Sequence, residues 1–171
     1  MKVAQLMDTE YANFYADYIK MAEAEELKTG LRSSLYSVID FFKAIPEEKL
    51  EYRYEIGKWS VKDIIQHLID AERVFAYRAL RFARQDKTPL PGFNENDYAI
   101  NANANKKSRE ELLKEYQIVR ESTILLFKSF NEETLKLIGT ASNSKMSIRA
   151  IGFVIIGHEK HHCQVIKARY L

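Results

Sequence analysis

The chain has 171 residues and only four histidines, so where each one falls carries information. His158 and His162 stand one helical turn apart in GHEKHHCQVI (157–166), and His67 stands in KWSVKDIIQHLIDAE (58–72). Positions 148, 151, 155, 158, 162, 165 and 169 alternate steps of three and four, which is a heptad seam. They hold Ile148, Ile151, Ile155, His158, His162, Val165 and Arg169, so two imidazoles occupy places where the period asks for core residues. Ile64, His67, Ala71 and Val74 make a similar seam. Residues four apart on a helix carry Cβ atoms about 5–6 Å apart, and two rings leaning together reach one ion at about 2.0–2.1 Å each. A third imidazole from another helix would complete an open site with water or substrate on its free side. Three buried neutral imidazoles without partners are costly, and a shared divalent transition metal removes that cost. Zinc or nickel suits the donor set first, with iron or copper as further choices.

The same stretch matches H-E-x-x-H over His158–His162, a pattern in which the glutamate is the general base of a metalloprotease. Such enzymes take their third ligand downstream, and too few residues remain after His162, so a third ligand must come from upstream. Glu159 stays a candidate catalytic base for metal-assisted hydrolysis; its alternative is a partner for Lys or Arg at the seam edge. His161 lies off the seam. Cys163, beside a ligand, reads either as a nucleophile or as helix packing, and its angular position favours packing.

The elements that must position these residues are helical. A short helix is expected over 9–20. Leu27, Leu31, Leu35, Val38 and Phe42 set the period of a first long helix over 24–44, which Ile45-Pro46 ends. A second runs from Ser60 to about Gln85, with Ser60 and Asp63 as a capping-box variant. DKTPLPG at 86–92 is a loop, and a short helix over 94–102 follows. Ser108 and Glu111 open a third long helix over 109–130, and Ser147 caps a fourth that runs to the C-terminus. Four long amphipathic helices in one domain, 1–171, give an all-α four-helix bundle. Loops of this length point to at least one long crossover connection.

Composition narrows the function classes. The net charge is +2, from 26 basic and 24 acidic residues, which gives no reason to expect nucleic acid. One cysteine excludes an internal disulfide and fits a reducing cytoplasm. The N-terminus lacks the apolar core of a signal peptide, and AIGFVIIG at 150–157 is far short of a membrane span. A cytoplasmic protein is expected.

These residues together resemble the DinB-like superfamily of bacterial metal-binding four-helix bundles. The likeness runs from YADYIK at 15–20 through GKWSVKDIIQHLIDAE at 57–72 and LPGFNENDYA at 90–99 to GHEKHHCQVIKARYL at 157–171. It implies a bundle with a crossover, often a homodimer, and a divalent metal on three histidines, which fall by motif on His67, His158 and His162. It also implies activity toward low-molecular-weight thiols, as in bacillithiol S-transferases and mycothiol-dependent maleylpyruvate isomerases. The mycothiol branch carries an additional C-terminal domain, and a chain ending at Leu171 favours the single-domain transferase type.

Three functions are therefore expected in order. The first is a metal-dependent S-transferase that presents a small thiol to an electrophile. The second is a metal-dependent hydrolase with Glu159 as base, and the third a non-catalytic stress protein whose metal stabilises the bundle or a dimer. Trp59 and Tyr54 read as core. Glu72 and Arg78 are expected to pair with charges on neighbouring helices. Arg120 reads as an internal salt bridge, or else as a clamp for a substrate carboxylate. Asn96, Asp97 and Tyr98 are expected to offer polar groups at a rim over the site.

Overall fold

The computed structural model describes all residues, Met1–Leu171. The long helices are α2 (Leu27–Lys43), α3 (Val61–Ala83), α5 (Arg109–Lys128) and α7 (Ile148–Arg169), with short helices α1 (Ala16–Met21), α4 (Glu95–Ala102) and α6 (Glu132–Leu135) between them. Their starts follow the expected capping chemistry. Ser60 Oγ accepts from the Asp63 amide while the Asp63 carboxylate accepts from the Ser60 amide, and Ser108 and Glu111 repeat the exchange. Ser147 accepts from the Ala150 amide at the start of α7.

The long helices pack in a ring, with α3 against α5 and α7, and α2 against α5 and α7. Hence α2 and α3 sit diagonally, as do α5 and α7. The two crossovers are residues 44–60 and 129–147, whereas the longest loop, 84–108, joins the adjacent pair α3 and α5. The second crossover holds a feature outside an all-helical reading, an antiparallel hairpin of β1 (Ile138–Ala141) and β2 (Ser144–Ser147). Its turn residues Ser142 and Asn143 both have positive φ, 49° and 59°, the backbone that two-residue hairpin loops require. The expected helix over 9–20 is instead two 3₁₀ turns (Asp8–Glu10 and Asn13–Tyr15) leading into α1. No helix is long and apolar enough to cross a membrane.

The core is divided. One apolar cluster joins Leu27 and Leu31 of α2, Phe75 and Phe82 of α3, Phe127 of α5 and the first half of α7. The other joins Leu35 and Phe42 of α2, Ile64 to Ile69 of α3, Leu112 and Tyr116 of α5, and Ile166 of α7. Between them lies a buried polar layer with one residue from each long helix: Ser34, Glu72, Arg120 and Glu159. The histidines sit at the edge of this layer.

Candidate metal centre

His67 and His158 are buried and His162 is half-buried, and their ligating atoms all lie within 4.8 Å of one another. His158 Nε2 is 3.0 Å from His67 Nε2 and 3.0 Å from His162 Nε2. The α3 and α7 seams thus meet at the stagger the heptads require. His161 is edge-on to His162 and Tyr18 but stays outside the cluster.

The arrangement fits a metal ion. A neutral imidazole Nε2 carries either one proton or one lone pair, so His158 Nε2 cannot be donor to one neighbour and acceptor from the other. Three lone pairs converging on a cation have no such conflict. Two nitrogens 3.0 Å apart, each about 2.1 Å from one ion, subtend nearly a right angle, as in a facial set. Sharing an ion at that length requires separations below about 4.2 Å, and small ring rotations bring the outer pair within reach. Burial also leaves the lone pairs free. It lowers His67 to about 4, and burial with repulsion from His67 and His161 lowers His162 to about 3. Burial, then the neighbouring imidazoles, holds His158 well below the ordinary value. All three rings are neutral at pH 7, the ligating form.

The polar layer lies directly behind His158. Arg120 donates through Nε and Nη2 to both oxygens of Glu72 at 2.8 Å, through Nη2 to Glu159 Oε2 at 2.7 Å, and through Nη1 to Ser34 Oγ at 2.7 Å. Burial works against the Arg120 charge, but Glu159 and Glu72 outweigh it and raise its pKa. Tyr116 donates to Glu159 Oε2 at 2.6 Å, and burial with the nearby carboxylates keeps its phenol protonated. Glu159 is thus the partner of an arginine, and Arg120 is an internal salt bridge with no free face for a substrate. Glu159 Oε1 is the one fully enclosed side-chain polar atom without a partner. Glu159 and His158 both line a cavity of about 10 Å³, enough for about one water molecule. Two carboxylates against one guanidinium, with one carboxylate oxygen left without a partner, suit a neighbouring cation.

Two open faces reach the histidines. His158 lines a cavity of about 290 Å³ walled by Phe14, Tyr15, Tyr18, Phe75 and Phe93. His162 lines a shallower groove with Trp59, Tyr54 and Asn96. Trp59 is more than core: its ring lies 4.6 Å from that of His67 and 6.4 Å from that of His162, nearly parallel to the latter. Tyr18 meets His158 edge-on at 5.3 Å. The close approach of α1 that places Tyr18 there depends on Gly157, where a Cβ would lie 1.7 Å from the Tyr18 carbonyl oxygen. Arg78, expected in an ion pair, has no carboxylate partner; its Nη2 donates to Pro91 O and Ser142 Oγ. At the rim, Phe93 and Glu95 face the His158 cavity and Asn96 the His162 groove, while exposed Tyr98 rests on Phe93 at 4.8 Å and Asp97 is exposed. Cys163 packs beside the second core cluster, and burial pushes its thiol up to about 12, which leaves it protonated at neutral pH.

The fold and the site define a helical-bundle protein with a three-histidine cluster that could hold a metal ion. Residues 31–166 match the model of the DinB superfamily, and the chain belongs to that family. A protein of Geobacillus thermodenitrificans named "Putative metal-dependent hydrolase" is 27% identical over 165 residues, covering 92% of this chain and 88% of its own. A protein of Oceanobacillus iheyensis with a name of the same kind is 25% identical over 126 residues, 72% of each chain. The structure of YfiT from Bacillus subtilis, described as "a probable metal-dependent hydrolase with an unusual four-helix bundle topology", superposes with a TM-score of 0.70 at 12% identity, over 96% of this chain and 90% of that one.

Proposed function

We propose that this protein is a divalent-metal-dependent S-transferase for small molecules. The observation that carries the reading is the convergence of three neutral imidazoles, of which His158 lines a small aromatic cavity, with no carboxylate hydrogen-bonded to any of the three. Glu159, the acid adjacent in sequence, has one oxygen committed to Arg120 and Tyr116 and the other buried without a partner. A divalent ion held by His67, His158 and His162 supplies Lewis acidity that favours the thiolate of a coordinating thiol without a protein base. Tyr18 and Phe75 flank His158 and limit water around the reacting group, while Trp59 covers the His67 and His162 rings and fixes their planes. The electrophile would enter through the cavity of about 290 Å³.

Hydrolysis is the second reading, and the names of the relatives favour it. There the ion would lower the pKa of a water, with Glu159 as the proposed base acting through the small cavity it shares with His158. The two readings separate in one experiment. Zinc- and nickel-loaded protein is assayed for conjugation of several low-molecular-weight thiols to monochlorobimane, beside a panel of ester and amide substrates. Conjugation that disappears in His67→Ala supports the transferase. Hydrolysis that falls sharply in a folded, metal-retaining Glu159→Gln variant supports the hydrolase and sinks the first reading. Turnover in neither assay, with metal removal lowering thermal stability or dimer content, supports the third expectation of a metal-stabilised stress protein.

A further inference from the structure

Arg78 is 2% exposed, yet no carboxylate pairs with it. Only its Nη2 has acceptors, the Pro91 carbonyl at 3.1 Å and Ser142 Oγ at 2.9 Å, so Nε–H and the Nη1 hydrogens have none in the protein. These atoms are not sealed in packing, because the one enclosed side-chain polar atom without a partner is Glu159 Oε1. They therefore keep some exposure, and Arg78 lines, together with His158, a cavity of about 290 Å³. Phe75 links the two: the Arg78 guanidinium lies 5.8 Å from the centre of its ring, and the His158 ring lies 6.4 Å away. Burying a guanidinium without a counter-ion is unfavourable, and an incoming anion offsets that cost with a planar, two-pronged hydrogen-bonding match.

We propose that Arg78 is an anion-binding subsite of the metal centre, and that the ligand is a small molecule with an apolar body and a carboxylate. The carboxylate sits on Nε and Nη1 of Arg78, the body lies along Phe75 and Phe93, and the opposite end points toward His158. The pocket is at the small end of the usual range for ligand sites, and its aromatic walls with one fixed cation suit such a molecule. Glu95 shares the cavity, and its charge selects against a second anionic group near the rim. The carboxylate role considered for Arg120 thus belongs to Arg78, whose guanidinium has free donors where that of Arg120 has none to spare. The inference rests on the proposed function for the identity of the site, and the Arg78 subsite itself does not require the ion.

Phenylacetate and its neutral isostere phenylacetamide test the proposal. Their dissociation constants are measured by protein-observed nuclear magnetic resonance on metal-free and zinc-loaded protein. Binding of the acid about tenfold or more tightly than the amide is expected in both forms. Arg78→Gln should bring the ratio within about twofold, Arg78→Lys should keep part of it, and Glu95→Gln should increase it. Equal affinities in the wild type, or no binding of either probe, overturn the proposal without reference to any variant. Discrimination that appears only with zinc and survives Arg78→Gln assigns the anion to the metal and also overturns it. Zinc content of each sample is read separately: protein that takes up no zinc yet discriminates through Arg78 refutes the metal reading and upholds the subsite.

Discussion

Acidification of the metal-free protein from pH 7 to pH 5 should destabilise it far more than its charge balance suggests. His67 titrates at about 4 in the folded chain, because burial disfavours its charged form, against about 6.5 unfolded. The unfolded chain therefore binds more protons between these values. Stability is fully present above about pH 6.5, falls as pH drops toward 4, and levels off below that. Between pH 7 and pH 5 the linkage relation gives a loss of about 2 kcal/mol from His67 and about the same from His162, which titrates at about 3. About 4 kcal/mol is a ceiling for the two, since part of the His162 depression is repulsion from a charged His67. His158 adds in the same direction. Asp70 and Glu95, whose carboxyls burial raises, act in the opposite sense. Against a typical total of about 5–15 kcal/mol the loss is large. Urea unfolding of chelator-treated protein, followed by far-ultraviolet circular dichroism, measures it, and His67→Leu should remove about 2 kcal/mol of the pH 7-to-5 difference. A difference below about 1 kcal/mol would show that burial does not hold the rings neutral, and would remove the electrostatic basis for the site.

Purified protein should carry about one equivalent of a transition metal by plasma mass spectrometry, and His67→Ala and His162→Ala should each lose it; retention in either variant removes that residue from the ligand set. Gly157→Ala should cost about 1–3 kcal/mol in urea unfolding, because its methyl group meets the Tyr18 carbonyl, and thermal unfolding like that of the wild type would show that α1 does not dock as described. Arg120→Met alone should cost about 3–5 kcal/mol by leaving Glu72 and Glu159 buried without their cation. Replacing Glu72, Arg120 and Glu159 together by Leu, Met and Leu should restore that stability while lowering zinc affinity by about tenfold or more, read by competition with a chromophoric chelator. Unchanged zinc affinity would reduce the layer to a packing device.

Much of this was legible because it depends on period. The α7 seam from Ile148 to His162 and the α3 seam through His67 follow helical geometry, so the three histidines could be placed on core faces before their helices were paired. The caps at Ser60, Ser108 and Ser147 are local and were equally readable. What escaped depends on contacts between distant segments. The diagonal crossovers follow from which long helices pack together, and loop length alone does not encode that. The Ser142-Asn143 turn was a hairpin signal hidden between helices. Trp59 could be read as apolar, but its place over two imidazoles required the orientation of the α3 N-terminus. The roles of Arg78 and Arg120 were indistinguishable in sequence, since both are arginines on inward faces. Only the polar layer shows that Glu72 and Glu159 saturate Arg120 and that no acid reaches Arg78.

Formal charge ties the polar layer, the histidines and Arg78 into one argument. Glu72 and Glu159 face a single guanidinium, so the layer behind His158 is one positive charge short, and the neutral imidazoles do not supply it. A divalent ion held by His67, His158 and His162 would supply that charge and leave one positive charge, which a single anionic group could neutralise. Across the aromatic cavity, which Glu95 also lines, Arg78 has no carboxylate in contact and, on the proposal above, takes a second anion. In low-dielectric surroundings an unmatched charge is expensive, so the arrangement favours a ligand set that brings two separated negative groups to the cavity, one to the ion and one to Arg78. Glu95 at the rim disfavours a third. On the two proposals together, the protein selects ligands by size and also by charge. This is a stronger constraint on substrate than cavity volume, because an apolar molecule of the right size would leave both cations buried and unpaired.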